Sequence, residues 1–121
     1  MNILGIDYGR SKIGLAISYG KISEPLMVIR YKDVEDAVLK IRSIIEKEKI
    51  DEIVVGVSEG QMGTESKRFA NFFKAKTFDE TLTSKDAIAY SIQSGMGPSK
   101  RKKMEDAFAA SIMLQNYIDS K

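Results

Sequence analysis

Three acidic residues that lie far apart in the chain, Asp7, Glu80 and Asp106, are the strongest candidates for chemistry. Asp7 directly follows the apolar stretch at residues 3–6 and has glycines on both sides. A carboxylate at the end of a buried strand is costly unless it is paired, hydrogen-bonded or bound to a cation, and glycine lets a ligand approach closely. We therefore interpret Asp7 as part of a site, with an aspartate that only caps its own turn as the alternative.

Glu80 directly follows a short predicted strand at residues 76–79. In a parallel sheet this position lies at the same carboxyl edge as Asp7, where α/β proteins keep their sites. A carboxylate that favours the positive N-terminal end of the following helix is the alternative.

Asp106 stands at the start of an apolar stripe on the last predicted helix. The other residues of the stripe recur at helical spacing: Ala109, Ala110, Met113, Leu114 and Tyr117. An inward-facing acid needs a partner, and stabilisation by the helix dipole is the alternative to a bound cation. We favour a cation that Asp106 holds together with the two strand-end carboxylates.

The chain contains no histidine and no cysteine. Imidazole-based triads, thiol nucleophiles, disulfides and zinc–thiolate sites are therefore excluded. Any acid–base or metal chemistry must come from Asp, Glu, Lys and Tyr. Because carboxylate oxygens are hard ligands, the cation we expect is Mg²⁺ or Mn²⁺ rather than zinc or copper.

Basic and hydroxyl side chains lie near these acids in the sequence. Such residues would hold a phosphate backbone that passes the site, whereas a run of charges on a solvated surface is the alternative. The net charge of +2 does not by itself indicate a nucleic-acid partner. The candidate nucleic-acid-binding residues are Arg10, Lys12, Thr83, Lys100, Arg101, Lys102 and Lys103.

The elements that would position these residues begin with strands. Alternating apolar residues predict two strands around residues 3–6 and 13–17, joined by a tight turn, and a third at residues 25–29 with Pro25 at its start. Short turns make these three an antiparallel meander. The β-branched stretch at residues 51–57 predicts a strand that is covered on both faces and pairs parallel to the first.

Four helices are predicted, and they follow the third strand. The first is amphipathic, with Asp33 as its N-cap. The second is capped by Thr64 and places Ser66, Phe69, Ala70 and Phe73 on one face. The third begins in a capping box at residues 83–86, and the last runs from about residue 101 to residue 118.

The composition indicates one domain. A chain of 121 residues that is 43% hydrophobic can bury a single core, so we expect one domain over residues 1–121. The longest apolar runs are too short for a membrane span, and no signal-peptide pattern precedes the first strand. We therefore expect a cytoplasmic protein without a membrane partner.

Four motifs, in order along almost the whole chain, resemble the YqgF-like family of ribonuclease H-like proteins. This family is described as Holliday-junction resolvases and as nucleases that mature pre-16S ribosomal RNA. The motifs are Gly5-Ile6-Asp7-Tyr8-Gly9 with Lys12-Ile13-Gly14, Ile53-Val54-Val55-Gly56, Asp79-Glu80-x-Leu82-Thr83, and Asp106-x-x-Ala109-Ala110 with Leu114-Gln115.

The resemblance implies an α/β, ribonuclease H-like fold: a mixed five-stranded sheet, three antiparallel strands then two parallel ones, with helices on both faces. It also implies an endonuclease that uses one or two Mg²⁺ or Mn²⁺ ions to cleave structured RNA or branched DNA. By position, Asp7, Glu80 and Asp106 would be the catalytic, metal-binding triad. A two-fold DNA junction would suit a homodimer.

The chain departs from the family pattern at three places. The loop after Gly56 reads Val57-Ser58-Glu59-Gly60 where a hydrophobic residue and proline are usual, Thr81 replaces a common arginine, and the link from the second helix to the last strand is short. These departures bear on substrate grip and on the role of the loop rather than on the triad. Separately, the sequence leaves open whether Asp79 or Glu59 joins or replaces Glu80.

Two other functions remain open from the sequence. The motif Gly5-Ile6-Asp7-x-Gly9 also looks like the first phosphate loop of actin-like ATPases and sugar kinases, which need two such domains. A nucleic-acid-binding or ribosome assembly factor without turnover is the non-enzymatic alternative. The sequence contains no recognisable base-reading element or 2′-hydroxyl sensor, so it does not distinguish RNA from DNA.

Overall fold

The computed structural model describes residues 1–57, 60–79 and 102–120. Its strands are β1 (Ile3–Asp7), β2 (Lys12–Ser18), β3 (Ser23–Arg30), β4 (Glu52–Val57) and β5 (Lys76–Asp79). These five strands form one sheet in the order β3-β2-β1-β4-β5. β1 pairs antiparallel with β2, and β2 with β3, whereas β4 pairs parallel with β1 and β5 parallel with β4. This confirms the mixed sheet that the sequence predicts.

The described helices cover both faces of the sheet. They are α1 (Val34–Lys47), α2 (Gln61–Asn71) and α3 (Glu105–Asp119). α1 and α2 contribute Ile41 and Phe69 to one buried cluster, and α3 contributes Met113 to a second. The helices thus confirm the layered α/β architecture.

The side chains of β1 alternate between these two clusters. Leu4 and Ile6 belong to the cluster of α1 and α2, whereas Ile3 belongs to that of α3. A Cβ atom on Gly5 would lie 2.9 Å from Cβ of Leu114 in α3. Because successive residues of a strand face opposite sides of the sheet, Asp7 lies on the α3 face, in line with Ile3 and Gly5.

Hydrogen bonds to the sheet fix α3 in place. The hydroxyl of Ser23 in β3 donates to the carbonyl oxygen of Ser111 at 2.6 Å, and the Ser23 amide donates to Oε1 of Gln115 at 2.9 Å. At the far end of the helix, the Tyr117 hydroxyl donates to Oε1 of Glu52 at 3.0 Å. These bonds anchor the helix that carries Asp106.

α1 begins as the sequence predicts. The side chain of Asp33 accepts a hydrogen bond from the amide of Glu35 at 3.1 Å, which satisfies a donor that the helix cannot pair internally. Ala37, Val38 and Ile41 form its buried face. The predicted N-cap is therefore confirmed.

The predicted start of α2 at Thr64 is wrong. The helix begins at Gln61, and Gly60 is its N-cap with φ = 81°. Thr64 is exposed within the first turn, and its amide donates to the carbonyl oxygen of Gly60 at 3.3 Å. Glycine adopts this positive φ without a steric cost, so the chain enters the helix earlier than a threonine cap would allow.

Two further boundaries differ from the prediction. β3 begins at Ser23, so Pro25 lies within the strand, where the register with β2 shifts between Leu15 and Ala16. β3 is an edge strand, and edges and bulges tolerate proline's missing amide donor. α3 begins at Glu105, and a turn at Met104 separates it from the helical residues 102 and 103, whereas the sequence predicts one helix from about residue 101. The predicted third helix, from residue 83, falls outside the described residues.

Within the described parts of the chain, no helix is long and apolar enough to cross a membrane.

Candidate functional site

Asp7 ends β1 between two glycines of the neighbouring strands. Its register partner in β2 is Gly14, and its register partner in β4 is Gly56. Neither glycine carries a side chain, so no Cβ atom of a neighbouring strand lies beside the Asp7 carboxylate on the α3 face. This placement confirms that Asp7 stands at the end of the first strand.

The backbone of Asp106, in the first turn of α3, lies against Gly14. A Cβ atom on Gly14 would lie 1.9 Å from the carbonyl oxygen of Asp106 and 2.8 Å from the amide nitrogen of Ala107. The first turn of α3 therefore passes directly over Gly14. Because Gly14 is also the register partner of Asp7, both acids flank one glycine on one face of the sheet.

Lys12 pairs with the second of these acids. Its Nζ lies 3.3 Å from Oδ2 of Asp106, and the two side chains are 42% and 29% exposed. Lys12 begins β2 two residues before Gly14, so it lies on the same face of the sheet. Asp106 therefore already has a cation beside it, in a partly exposed and hence weak ion pair.

One acid of the predicted triad and three of the seven predicted phosphate-binding residues are not described. Glu80, Thr83, Lys100 and Arg101 lie outside the described residues. Within the described ranges, no cluster of three or more metal-ligating side chains occurs. The structure thus brings together two acids of the three, and the role of Glu80 stays a prediction.

Lys102 and Lys103 lie shortly before α3 and are both exposed. Asp106 is in the first turn of that helix. The two lysines are therefore within one helical turn of Asp106 in sequence, and their predicted contact with a phosphate backbone remains a prediction.

Arg10, a predicted phosphate-binding residue, pairs with Glu65 in this structure. Its Nε lies 3.2 and 3.1 Å from Oε1 and Oε2 of Glu65 in α2, and its Nη2 lies 2.6 Å from Oε2. These hydrogen bonds raise the pKa of Arg10 and lower the pKa of Glu65. Arg10 thus ties the β1–β2 turn to α2.

Tyr31, which directly follows β3, holds the same turn from another side. Its hydroxyl donates to the carbonyl oxygen of Gly9, and its amide donates to the carbonyl oxygen of Ser11 at 3.0 Å. Burial, followed by a hydrogen bond with Tyr8, raises the pKa of Tyr31 well above its usual range. The hydroxyl therefore stays protonated and remains a donor. No sequence motif singles out Tyr31 or Glu65, because both act through contacts distant in sequence.

The donor set fits a hard divalent cation. Asp7 and Asp106 offer carboxylate oxygens, which Mg²⁺ and Mn²⁺ prefer, and the chain has no histidine or cysteine to favour a softer metal. The contact of Lys12 with Asp106 shows that this carboxylate attracts positive charge in the folded protein.

Comparison with known protein families gives one match over nearly the whole chain. A family model described as "RuvX: Holliday junction resolvase" matches residues 1–120. A relative from Clostridium acetobutylicum, described as a candidate pre-16S rRNA nuclease, is 32% identical and covers 99% of both chains. A relative from Syntrophus aciditrophicus with the same description is 34% identical and covers 99% of this chain and 89% of its own.

Solved structures of Holliday junction resolvases share the fold. The fowlpox virus resolvase superimposes with a TM-score of 0.68 over the full length of both chains at 14% identity. The Thermus thermophilus RuvC protein in complex with a Holliday junction superimposes with a TM-score of 0.61, at 14% identity over 99% of this chain and 96% of that one. At these identities the likeness establishes the ribonuclease H-like fold.

Proposed function

Because this chain belongs to the RuvX family of Holliday junction resolvases, we propose that it is a divalent-metal-dependent endonuclease for structured nucleic acid. The family and the relatives identify the chain as a nuclease, an enzyme that hydrolyses phosphodiester bonds. The metal requirement, the residues that meet it and the substrate are the parts that we propose.

The observation that carries the proposal is the meeting of Asp7 and Asp106 at Gly14. Two carboxylates on one face of a sheet repel each other, and the pairing of Lys12 with Asp106 supplies only one positive charge against their two negative charges. We infer that Asp7 and Asp106, together with Glu80, hold Mg²⁺ or Mn²⁺. When bound, such an ion activates a water molecule and neutralises charge that develops on the scissile phosphate. This chemistry needs no histidine base, which the chain lacks.

The cations around the acids would position the substrate. Lys12 lies on the same face as Asp106, and Lys102 and Lys103 are exposed shortly before α3. Together with Thr83, Lys100 and Arg101, they would contact the phosphates on either side of the scissile bond. Arg10 would join them only if it left Glu65.

The first candidate reaction is processing of the 5′ end of pre-16S ribosomal RNA. Full-length relatives at 32% and 34% identity carry that description. Resolution of Holliday junctions is the second candidate, because the family description names it. Ribosomal RNA processing would place the protein in the cytoplasm, and a two-fold junction would call for a homodimer.

The test is cleavage of an end-labelled pre-16S RNA fragment and of a four-way DNA junction, each with Mg²⁺ or Mn²⁺. Asp7→Asn should lower the cleavage rate by more than about 100-fold, since removal of an outer-shell partner alone costs roughly 10- to 100-fold. Asp36→Asn, a matched change at an exposed position of α1, should leave the rate unchanged.

Unchanged cleavage by Asp7→Asn would refute the proposed site. Binding of either substrate without cleavage, across several divalent metals, would instead favour the non-catalytic assembly factor.

A further inference from the structure

We propose that Lys12 is a built-in counter-cation of the acidic site: its ammonium group pairs with Asp106 until a divalent ion takes that carboxylate, and then contacts a substrate phosphate. The inference rests on the proposed function, because it assumes that Asp106 helps to hold the ion. It adds a role for Lys12, whose ammonium group changes its partner from the Asp106 carboxylate to a phosphate when the ion binds.

The backbone of Lys12 is held firmly in place. Its register partner in β3 is Arg30, and Tyr31 fixes the preceding turn through Gly9 and Ser11. A Cβ atom on Gly9 would lie 2.4 Å from the carbonyl oxygen of Lys12, so the turn closes tightly. A fixed backbone with a long side chain lets the ammonium group change partners without movement of the sheet.

The ion pair itself is weak enough to exchange. Its 3.3 Å separation joins two side chains that are 42% and 29% exposed, and exposed pairs of this kind contribute little to stability. A divalent ion carries twice the charge of an ammonium group and binds carboxylate oxygens at roughly 2 Å. The ion should therefore displace Lys12 from Asp106.

The displaced ammonium group remains on the face that carries Asp7. Lys12, Gly14 and Asp106 lie together on the α3 face, and Asp7 is the register partner of Gly14. A phosphate that approaches an ion between the acids therefore comes within reach of Lys12. The phosphate then replaces the Asp106 carboxylate as the negatively charged partner of Lys12.

The first experiment is calorimetric titration of the full chain with Mn²⁺, without substrate. Lys12→Met removes the competing cation and should lower the Mn²⁺ dissociation constant by roughly two- to fivefold, the range that corresponds to an exposed ion pair. Lys47→Met is the matched control, because this exposed lysine is the last residue of α1. The next strand, β4, begins beside Ile3, at the opposite end of β1 from Asp7. The Lys47→Met variant should bind Mn²⁺ with the same dissociation constant as the wild type. A dissociation constant of Lys12→Met that is equal to or higher than that of the wild type would overturn the proposal.

A double-mutant cycle separates displacement from general repulsion between charges. In an Asp106→Asn background, Lys12→Met should no longer change the Mn²⁺ dissociation constant, because the shared carboxylate is gone. An equal tightening in both backgrounds would show that Lys12 acts only as a nearby charge and would overturn the proposal. If wild type and Asp7→Asn bind Mn²⁺ equally, the metal site of the proposed function fails as well.

The second experiment measures the phosphate contact. Binding of a labelled four-way junction or pre-16S RNA fragment is followed against salt concentration, with Ca²⁺ in place of Mg²⁺ to suppress cleavage, and again with EDTA. With Ca²⁺, Lys12→Met should weaken binding and reduce the salt slope by about 1. With EDTA the variant should match the wild type, because Asp106 retains Lys12. An equal effect in both conditions would contradict the exchange.

Discussion

The first turn of α3 rests on Gly14 so closely that a Cβ atom there would lie 1.9 Å from the carbonyl oxygen of Asp106. Gly14 is also the register partner of Asp7. One glycine therefore lets a helix approach a sheet closely enough for two acids, separated by almost the whole sequence, to flank the same residue on one face of the sheet.

Gly14→Ala should disturb this contact. The added methyl group meets backbone atoms of Asp106 and Ala107 that have no rotamer to change, so we expect a loss of about 1–3 kcal/mol in the free energy of unfolding. Mn²⁺ binding should weaken as well, because α3 must shift away from Asp7. Urea unfolding and calorimetry measure the two effects.

Gly20→Ala is the matched control, since a Cβ atom at Gly20 meets nothing within 4 Å. It should leave both stability and Mn²⁺ affinity close to those of the wild type. Equal behaviour of the two alanine variants would contradict the close approach at Gly14.

Tyr31→Phe should loosen the turn that precedes Lys12. The variant removes the hydroxyl that donates to the carbonyl oxygen of Gly9, and we expect a loss of about 1 kcal/mol in the free energy of unfolding. Tyr19→Phe provides the comparison, because its hydroxyl contacts Glu48 at 2.7 Å on the exposed surface. A larger loss for Tyr19→Phe than for Tyr31→Phe would argue against the anchoring role of Tyr31.

Glu65 should make stability depend on pH in the acid range. Arg10 lowers the pKa of Glu65 below its usual value near 4.5, so the pair contributes stability that is present above that value and is lost as the pH falls through the lowered pKa. Glu65→Gln should therefore reduce the free energy of unfolding at pH 7 more than at pH 3.

The same substitution in an Arg10→Gln background serves as the control for that measurement. Without Arg10, the pH dependence that Glu65 contributes should disappear. A dependence that persists in the Arg10→Gln protein would mean that another group lowers the pKa of Glu65.

The sequence predicts much of the fold because its signals are local. Alternation of apolar residues identifies β1 and β2, and a β-branched stretch identifies β4. The cap at Asp33 identifies the start of α1, which the structure confirms. The start of α2 differs from the prediction because Gly60, the N-cap, has a positive φ. No pattern of side chains in the sequence predicts that backbone conformation. Pro25 lies inside β3 because a bulge and a sheet edge tolerate it.

The site was predicted only in part, for a related reason. Asp7 at a strand end and Asp106 on the last helix both follow from spacing, but their meeting at Gly14 depends on the packing of α3 against β2. The contacts of Arg10 with Glu65 and of Tyr31 with Gly9 join residues 55 and 22 positions apart. Contacts of this kind require the fold and cannot be obtained from a single motif.

The most direct measurement of the central claim is anomalous diffraction from crystals soaked in Mn²⁺. We predict one strong peak, or two, with carboxylate oxygens of both Asp7 and Asp106 at roughly 2 Å from the ion, and with Lys12 turned away from Asp106. An ion bound elsewhere that contacts neither carboxylate, or fully soaked crystals without a peak between them, would contradict the account.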